Sequence, residues 1–318
     1  MTGAPLSSIK DAATILRRGG LVAFPTETVY GLGADASNPA AVARIYAVKG
    51  RPSNHPVIVH VGDVSQLPRW ARETPQSAVR LAERFWPGPL TLVLRRAQGV
   101  GDGLTGGQDT IGLRIPGHPL ALELLRAFRG GVAAPSANRF GEISPTTADH
   151  VRRELGSDVD MILDGGACDI GIESTIVDLS RGVPVLLRPG RIGVDDIAAV
   201  LGVAPRPPDS DAPRAPGDQR SHYAPRHPLR LVPSDEWDST VRSESRDKAV
   251  ISFHARPVDD SSTIWIEAPP DPRRYAHDLY ANLRIVDSSG CGLILVEEPP
   301  ATDEWAAIRD RLTRARSR

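Results

Sequence analysis

Apolar residues recur along the chain in two periods, one helical and one extended. Ile9, Ala12, Ala13, Ile15 and Leu16 share a helical face, Ser7 or Ser8 can cap its start, and Gly19-Gly20 stops it. LVAF (21–24) is a short apolar run closed by Pro25 and reads as a buried strand. Helical spacing returns over 39–49 with Ala41, Ile45 and Val48 on one side, and VIVHV (57–61) is β-branched and strand-like. A helix is expected near 75–85, followed by strands LTLVL (90–94) and IGLRI (111–115) and a helix over 118–127. A strand at 131–134, a helix near 146–154, strands at 159–163, 175–179 and 184–187, and a short helix at 194–201 complete this unit.

Residues 203–228 break the pattern. They are crowded with proline, carry no apolar periodicity and read as a linker or an extended arm. Beyond them the alternation restarts, with apolar runs near 229–232, 248–253 and 263–266. A helix over 272–286 places Tyr275, Leu279, Leu283 and Val286 on one face, GLILVEE (292–298) is a strand, and 303–314 is a final helix. The expected organisation is therefore a first domain over 7–200, a proline-rich arm over 203–228 and a small α/β domain over 229–318.

Composition narrows the class. A chain of 318 residues, 40% hydrophobic and 24% charged, is globular rather than disordered, fibrous or membrane-embedded. Its formal net charge of −1 argues against a protein that coats nucleic acid by charge alone, although a local basic patch stays open. Cys168 and Cys291 lie far apart, which excludes a disulfide scaffold and a cysteine-built zinc site. The N-terminus has no apolar core of signal-peptide length and no run reaches the length of a membrane span, so a cytoplasmic protein is expected. Only three of the 38 basic residues are lysines, Lys10, Lys49 and Lys248.

Several nucleotide and hydrolase motifs can be set aside. GDGLTG (101–106) matches G-x-G-x-x-G, but a strand-like segment follows it and no acidic residue stands about twenty positions on, so it reads as a glycine-rich loop between strands. There is no P-loop, no G-x-S-x-G elbow and no H-E-x-x-H.

Three clusters remain. FPTETVYGLG (24–33) runs from a strand into a turn bearing Thr26, Glu27, Thr28 and Tyr30; ligand contact and plain turn chemistry suit it equally. KGRPSNHPVIVH (49–60) ends a helix in Lys49 and carries Arg51 into a proline-locked loop, where the two cations either converge on a polyphosphate or answer the helix C-terminus. APSANRFGEISPT (134–146) breaks a strand at Pro135 and offers Ser136, Asn138 and Ser144, small polar groups suited to phosphate or a nucleobase edge. Ser174 and Thr175 precede one strand and Arg188 ends another, while Arg114 sits inside an apolar strand and needs an anionic partner.

Taken in order, PTETVYGLG, KGRP…IVHV, LRIPGHP, APSANRFGEISPT, ESTIVDL and LLRPG resemble the YrdC-type threonylcarbamoyl-AMP synthase family. Its K-x-R…S-x-N signature is met by Lys49, Arg51, Ser136 and Asn138, and HYAP (222–225) in the arm with a small domain behind it resembles the long, two-domain form. The resemblance implies a YrdC-like twisted mixed sheet with flanking helices, joined by the arm to a small Rossmann-like α/β domain. It implies synthesis of L-threonylcarbamoyladenylate from L-threonine, bicarbonate or CO2, and ATP, with release of pyrophosphate and Mg2+ carried largely by the nucleotide. The product would serve N6-threonylcarbamoylation of adenosine 37 in tRNA, by a separate transferase complex. No membrane partner is implied, and direct nucleic-acid binding is not required.

Residue by residue, the resemblance makes Lys49 and Arg51 the catalytic cations and gives ATP to them with His55, Ser136, Asn138, Ser144, Arg188, Ser221 and Tyr223. Asn54 is open as an alternative to His55, and His222 is a further arm candidate. Thr28, His60, Arg114 and Thr175 would surround the amino acid, Arg114 facing its carboxylate, and no residue is expected to ligate a metal. The arm reads PGDQRSHYAP, with Asp218 and Arg220 where many relatives have G-M-x-Y. The rivals are another carbamoyl-adenylate-forming enzyme on this domain and a non-enzymatic RNA-binding protein. The chain has no zinc-finger spacing of the kind the former usually carries, and its net charge gives the latter little support.

Overall fold

The computed structural model of the chain describes residues 6–217 and 222–316. Two compact units emerge, Met1–Phe140 with Pro145–Asp218, and Gly141–Ser144 with Gln219–Arg318.

The first unit is built on β1 (Val22–Phe24), β2 (Gly31–Asp35), β3 (Ile58–His60), β4 (Leu90–Arg95), β5 (Thr110–Arg114), β6 (Val132–Ala133), β7 (Met161–Ile162), β8 (Thr175–Asp178) and β9 (Val185–Arg188). They form one mixed sheet in the order β7-β1-β2-β6-β3-β5-β4-β8-β9. The pairs β1–β7, β3–β5 and β4–β8 are parallel and the others antiparallel. Side chains alternate across the pleat, so the apolar runs divide between two faces. Val22, Phe24, Val132 and Ala134 pack with the helices Leu6–Arg17 and Pro119–Phe128. Leu32, Ala34, Val59, Leu90, Leu92, Leu94, Leu113 and Val177 turn the other way into the larger core.

The second unit holds β10 (Leu229–Val232), β11 (Lys248–Ser252), β12 (Ile264–Glu267) and β13 (Leu293–Glu297), all parallel, in the order β10-β13-β11-β12. Helices Trp237–Ser243, Pro272–Asp287 and Ala306–Ala315 accompany them. Val232, Trp237, Val241, Val250, Leu293 and Leu295 make one core cluster there. Parallel neighbours need crossover connections; two of the three here run through a helix, while residues 253–263 join β11 to β12 without one.

Three local expectations change. The GDGLTG loop contains a short helix, Asp102–Thr105, ended by Gly106 in the left-handed conformation. The helix Trp237–Ser243 carries too few apolar residues for its period to stand out in the sequence. The proline-rich stretch is no free linker on its first-unit side. Arg206 pairs with β9, its N–H donating to Pro184 O and its carbonyl accepting from Leu186 N, each at 2.9 Å. Arg181 meets Asp209 at 2.9 Å, and Ala215 is buried against Ile58, Val93 and Ile176. The stretch satisfies its backbone on a sheet edge rather than through an apolar stripe, and so leaves no periodicity to read.

Ala215→Asp should therefore lower the stability of the chain by about 2 kcal/mol or more, since it buries a carboxylate among aliphatic side chains. Val203→Asp, at a position 53% exposed on the same stretch, should stay within about 0.5 kcal/mol of the parent. Urea unfolding checks both; equal effects would mean that the stretch is not packed as described.

Candidate active site

The K-x-R segment owes its geometry to a helix end. Asn38 caps the helix Pro39–Lys49 by accepting from the N–H groups of Ala40 and Ala41, and Pro39 suits the first turn. Gly50 closes the helix at φ 62°, a conformation that costs glycine little. Lys49 is thus the last helical residue, and Arg51 leaves in a new direction. The Tyr46 hydroxyl lies 2.8 Å from His55 O and 2.7 Å from Gly103 O, tying the following loop back to the helix.

Lys49 is 3% exposed. Its Nζ donates to Ser136 O at 2.6 Å, Asn138 O at 2.5 Å and Asn138 Oδ1 at 3.3 Å. One ammonium therefore joins the two halves of the K-x-R…S-x-N pattern with all three of its hydrogens. Burial, reinforced by the neighbouring Arg51 charge, pulls this amine well below the ordinary lysine range. Arg51 is buried too. Its Nη2 donates to Pro56 O at 2.9 Å and its guanidinium stands 5.7 Å from the Phe140 ring, against which His55 also packs at 5.7 Å. Asn54 is exposed and His55 half-buried. The Ser136 hydroxyl makes no protein contact among the described residues, while its backbone bridges to Gly31 and Ala137 N donates to Tyr30 O at 2.8 Å. The S-x-N loop thus runs beside the T-E-T turn.

A second cluster follows from strand register. His60 and Arg114 are direct partners on the parallel strands β3 and β5, so their side chains share a face. Arg114 Nε donates to Gly88 O at 3.2 Å, and its Nη2 donates to Thr28 Oγ1 at 3.0 Å and meets Glu27 Oε1 at 2.8 Å. The Thr28 and Thr26 hydroxyls lie 2.8 Å apart. The His60 ring stands edge-on to Phe24 at 6.2 Å.

The same parity argument places Thr175 on the opposite face. Thr175 pairs with Leu90, whose side chain points into the larger core, so Thr175 faces away from the His60–Arg114 side. Its hydroxyl donates to Ile192 O at 2.8 Å and accepts from Ile192 N at 3.1 Å, acting as a clasp on the loop after β9. Ser174 takes the other face. Its hydroxyl lies 2.8 Å from Thr91 Oγ1 and accepts from Arg188 Nη2 at 3.2 Å. Arg188 is buried on that face, with Nε on Ser174 O and Nη1 on Pro216 O.

The structure therefore brings together Lys49, Arg51, His55, Ser136 and Asn138 in one cluster, Thr28, His60 and Arg114 in a second, and Arg188 with Ser174 in a third. Ser144 and Tyr223 fall in the second unit. Tyr223 adopts φ 62°, stacks on Tyr280 at 5.7 Å and lies under the Arg311 guanidinium at 5.4 Å; the His222 ring stands 4.1 Å from its own. Ser221 lies outside the described residues. Glu27, Phe140, Thr91 and Ser174 were not singled out as binding residues, although Ser174 has the parity of Ile176 and that signal was readable. Among the described residues no group of three His, Cys, Asp or Glu side chains could hold a metal ion, and no helix is long and apolar enough to cross a membrane.

Comparison with known proteins finds matches along nearly the whole chain. The Sua5_yciO_yrdC family model, described as Telomere recombination, matches residues 14–190. The Sua5_C model, described as Threonylcarbamoyl-AMP synthase, C-terminal domain, matches residues 192–317. The threonylcarbamoyl-AMP synthase of Pyrococcus abyssi is 39% identical over 321 residues, covering 96% of this chain and 93% of the relative. The chain belongs to the YrdC-type threonylcarbamoyl-AMP synthase family, in its long, two-domain form. A second member, from Bacillus subtilis, is 46% identical over 322 residues, covering 96% of this chain and 92% of its own. Within the family, the crystal structure of Pyrococcus abyssi Sua5 complexed with L-threonine is similar to this one. Its TM-score is 0.89 at 38% identity, over 97% of this chain and 94% of that one. The mixed sheet with a second, smaller parallel sheet is the fold that the motif order implied.

Burial, with Arg114 beside it, lowers the His60 imidazole from an ordinary 6.5 to about 3. Between those values the unfolded chain binds a proton that the folded chain refuses, so stability falls as pH falls through this window and is full above it. From about pH 7.5 to about pH 4.5, His60 should cost roughly 3 kcal/mol of stability. His60→Gln, neutral throughout, should lose that part of the acid sensitivity in urea unfolding at the two pH values. An unchanged acid loss in the variant would show that His60 does not carry it.

Proposed function

We propose that the chain is an L-threonylcarbamoyladenylate synthase that uses L-threonine, bicarbonate or CO2, and ATP, and releases pyrophosphate. The observation that carries this reading is the Lys49 ammonium. It gathers the S-x-N loop onto the K-x-R helix end at 2.5–3.3 Å, in a chain matched by both family models.

The chemistry asks little of a protein nucleophile. The threonine amine adds to CO2, giving a carbamate. A carbamate oxygen then attacks the α-phosphorus of ATP and pyrophosphate leaves. What the protein supplies is position and charge. Arg51 and Lys49 provide the positive field for the phosphates. Lys49 does so mainly through the loop it shapes, because its three hydrogens already meet neutral oxygens. The free Ser136 hydroxyl, Asn138 and His55 line the nucleotide side, and Arg188 faces the nucleotide from β9. On the amino-acid side, Arg114 takes the carboxylate, with Thr28 and neutral His60 beside it. Ser174 replaces Thr175 there, since the Thr175 hydroxyl is committed to Ile192. Ser144, Ser221 and Tyr223 are assigned to ATP on the resemblance alone.

The described residues do not fit a protein-built metal cage. A Mg2+ ion would be held by the nucleotide's own phosphates, its usual manner with few protein ligands. The catalytic domain is assigned to 7–200, the arm to 203–228 and the small domain to 229–318. The product would pass to a cytoplasmic transferase that modifies adenosine 37 of tRNA.

Purified protein given ATP, bicarbonate and L-threonine should release pyrophosphate only when threonine is present, with the adenylate visible by mass spectrometry. Threonine-independent release, or none, would sink the reading. Lys49→Arg keeps the charge but presents a planar fork to three converging acceptors. It should lose at least about 100-fold in kcat/KM, nearly as much as Lys49→Ala. Turnover within about threefold of the parent in Lys49→Arg would show that charge alone suffices there.

A further inference from the structure

Glu27 has no role in the scheme so far, and its surroundings are unusual. Its side chain is 10% exposed, and neither carboxylate oxygen accepts a hydrogen bond of good geometry from the protein among the described residues. Its one ion pair among the described residues is with Arg114, whose Nη2 lies 2.8 Å from Oε1. Gly117 comes close on one side, where a Cβ would stand 3.4 Å from the carboxylate carbon and Oε1. The backbone is pinned by Ile170 N, which donates to Glu27 O at 2.8 Å. A buried ion pair with so few hydrogen bonds gives little net stability, because desolvation offsets the attraction. Its place in the fold calls for another explanation.

Arg114 supplies one. Nε is fixed on Gly88 O and Nη2 is shared between Thr28 Oγ1 and Glu27, which leaves Nη1 without a protein hydrogen bond or ion pair among the described residues. The guanidinium plane is held at one edge and offered at the other. Charge matters as much as orientation. A lone buried guanidinium would attract any anion, and this reaction brings bicarbonate, nucleotide and pyrophosphate. Paired with Glu27, the guanidinium has its charge offset at close range, and the pair suits a guest that is itself a zwitterion. We propose that Glu27 is a positioning residue for amino-acid recognition, orienting Arg114 toward the substrate carboxylate and cancelling its charge toward simple anions. This rests on the reading of Arg114 as the carboxylate partner of the amino acid.

The test compares L-threonine with L-threoninamide, which lacks the carboxylate charge, by titration calorimetry on the full chain. The parent should prefer threonine by at least about tenfold. Glu27→Gln keeps the volume, removes the charge and should widen that preference at least about threefold, because the unmasked guanidinium attracts the carboxylate more and repels the cationic amide, with ATP affinity within about twofold of the parent. Inorganic phosphate at millimolar concentration should compete with threonine in Glu27→Gln and not in the parent. Were Glu27 merely structural, both ligands would weaken together; an unchanged preference in Glu27→Gln overturns the proposal. A parent with no preference overturns the Arg114 reading instead. Should Glu27→Gln not fold, Glu27→Asp retains the charge one methylene shorter. With the masking charge farther off it should also widen the preference, and an unchanged parental preference there also overturns the proposal.

Discussion

Lys49 is the point on which the first unit's chemistry turns. An ammonium 3% exposed survives burial only if its hydrogens are met, and here three oxygens of one loop meet them. None is a carboxylate; Glu154 acts on the amine as a counter-charge, but Arg51 and Arg139 outnumber it, so the cluster stays net positive. Two consequences follow. The S-x-N loop cannot relax away from the helix end without abandoning a buried cation, and the positive field stays available to a polyanion. The helix must then stop at Lys49 and nowhere else, which the left-handed Gly50 enforces. Phe140 N, donating to Lys49 O at 2.8 Å, closes the same junction from the backbone side.

Strand parity organises the rest. Parallel pairing of β3 with β5 puts His60 opposite Arg114, and pairing of β4 with β8 puts Thr91 opposite Ile176 and Leu90 opposite Thr175. A shift of one residue in either register would exchange core and site residues. The apolar partners Val59, Leu113, Leu92 and Val177 lock those registers through the larger core. The core thereby decides which polar groups share the His60–Arg114 face of the sheet.

Much of this was legible in the residues. Apolar runs marked nearly every strand, and Gly50 and Pro39 marked the ends of the helix that carries Lys49. What escaped detection has identifiable physical causes. Thr175 and Ser174 are neighbours of similar chemistry, and only the parity of Val177 separates them. The Ser136 and Asn138 oxygens that hold Lys49 were not legible, because a sequence shows a cation and not the carbonyls around it. Backbone acceptors have no residue code. The stretch 203–217 looked unstructured because Arg206 pairs by its main chain and Ala215 is a single small apolar residue among prolines. Glu27 passed as a turn residue because its partner lies 87 positions away on β5.

The two clusters handle charge in opposite ways. Around Lys49, neutral oxygens solvate the amine, and Arg51 and Arg139 outnumber the Glu154 carboxylate. Around Arg114, a carboxylate cancels the cation and leaves only its hydrogen-bonding edge. A site that must hold a nucleotide triphosphate and an amino acid close together faces a sorting problem, since both carry anionic groups that a bare arginine would accept. Field strength alone cannot sort them. Giving one cluster net charge and the other a charge offset at close range can, because a polyanion gains most from the first and a zwitterion loses least in the second. Discrimination of this kind depends on which acceptors surround each cation rather than on the number of cations, and a chain with a near-neutral total charge can therefore achieve it.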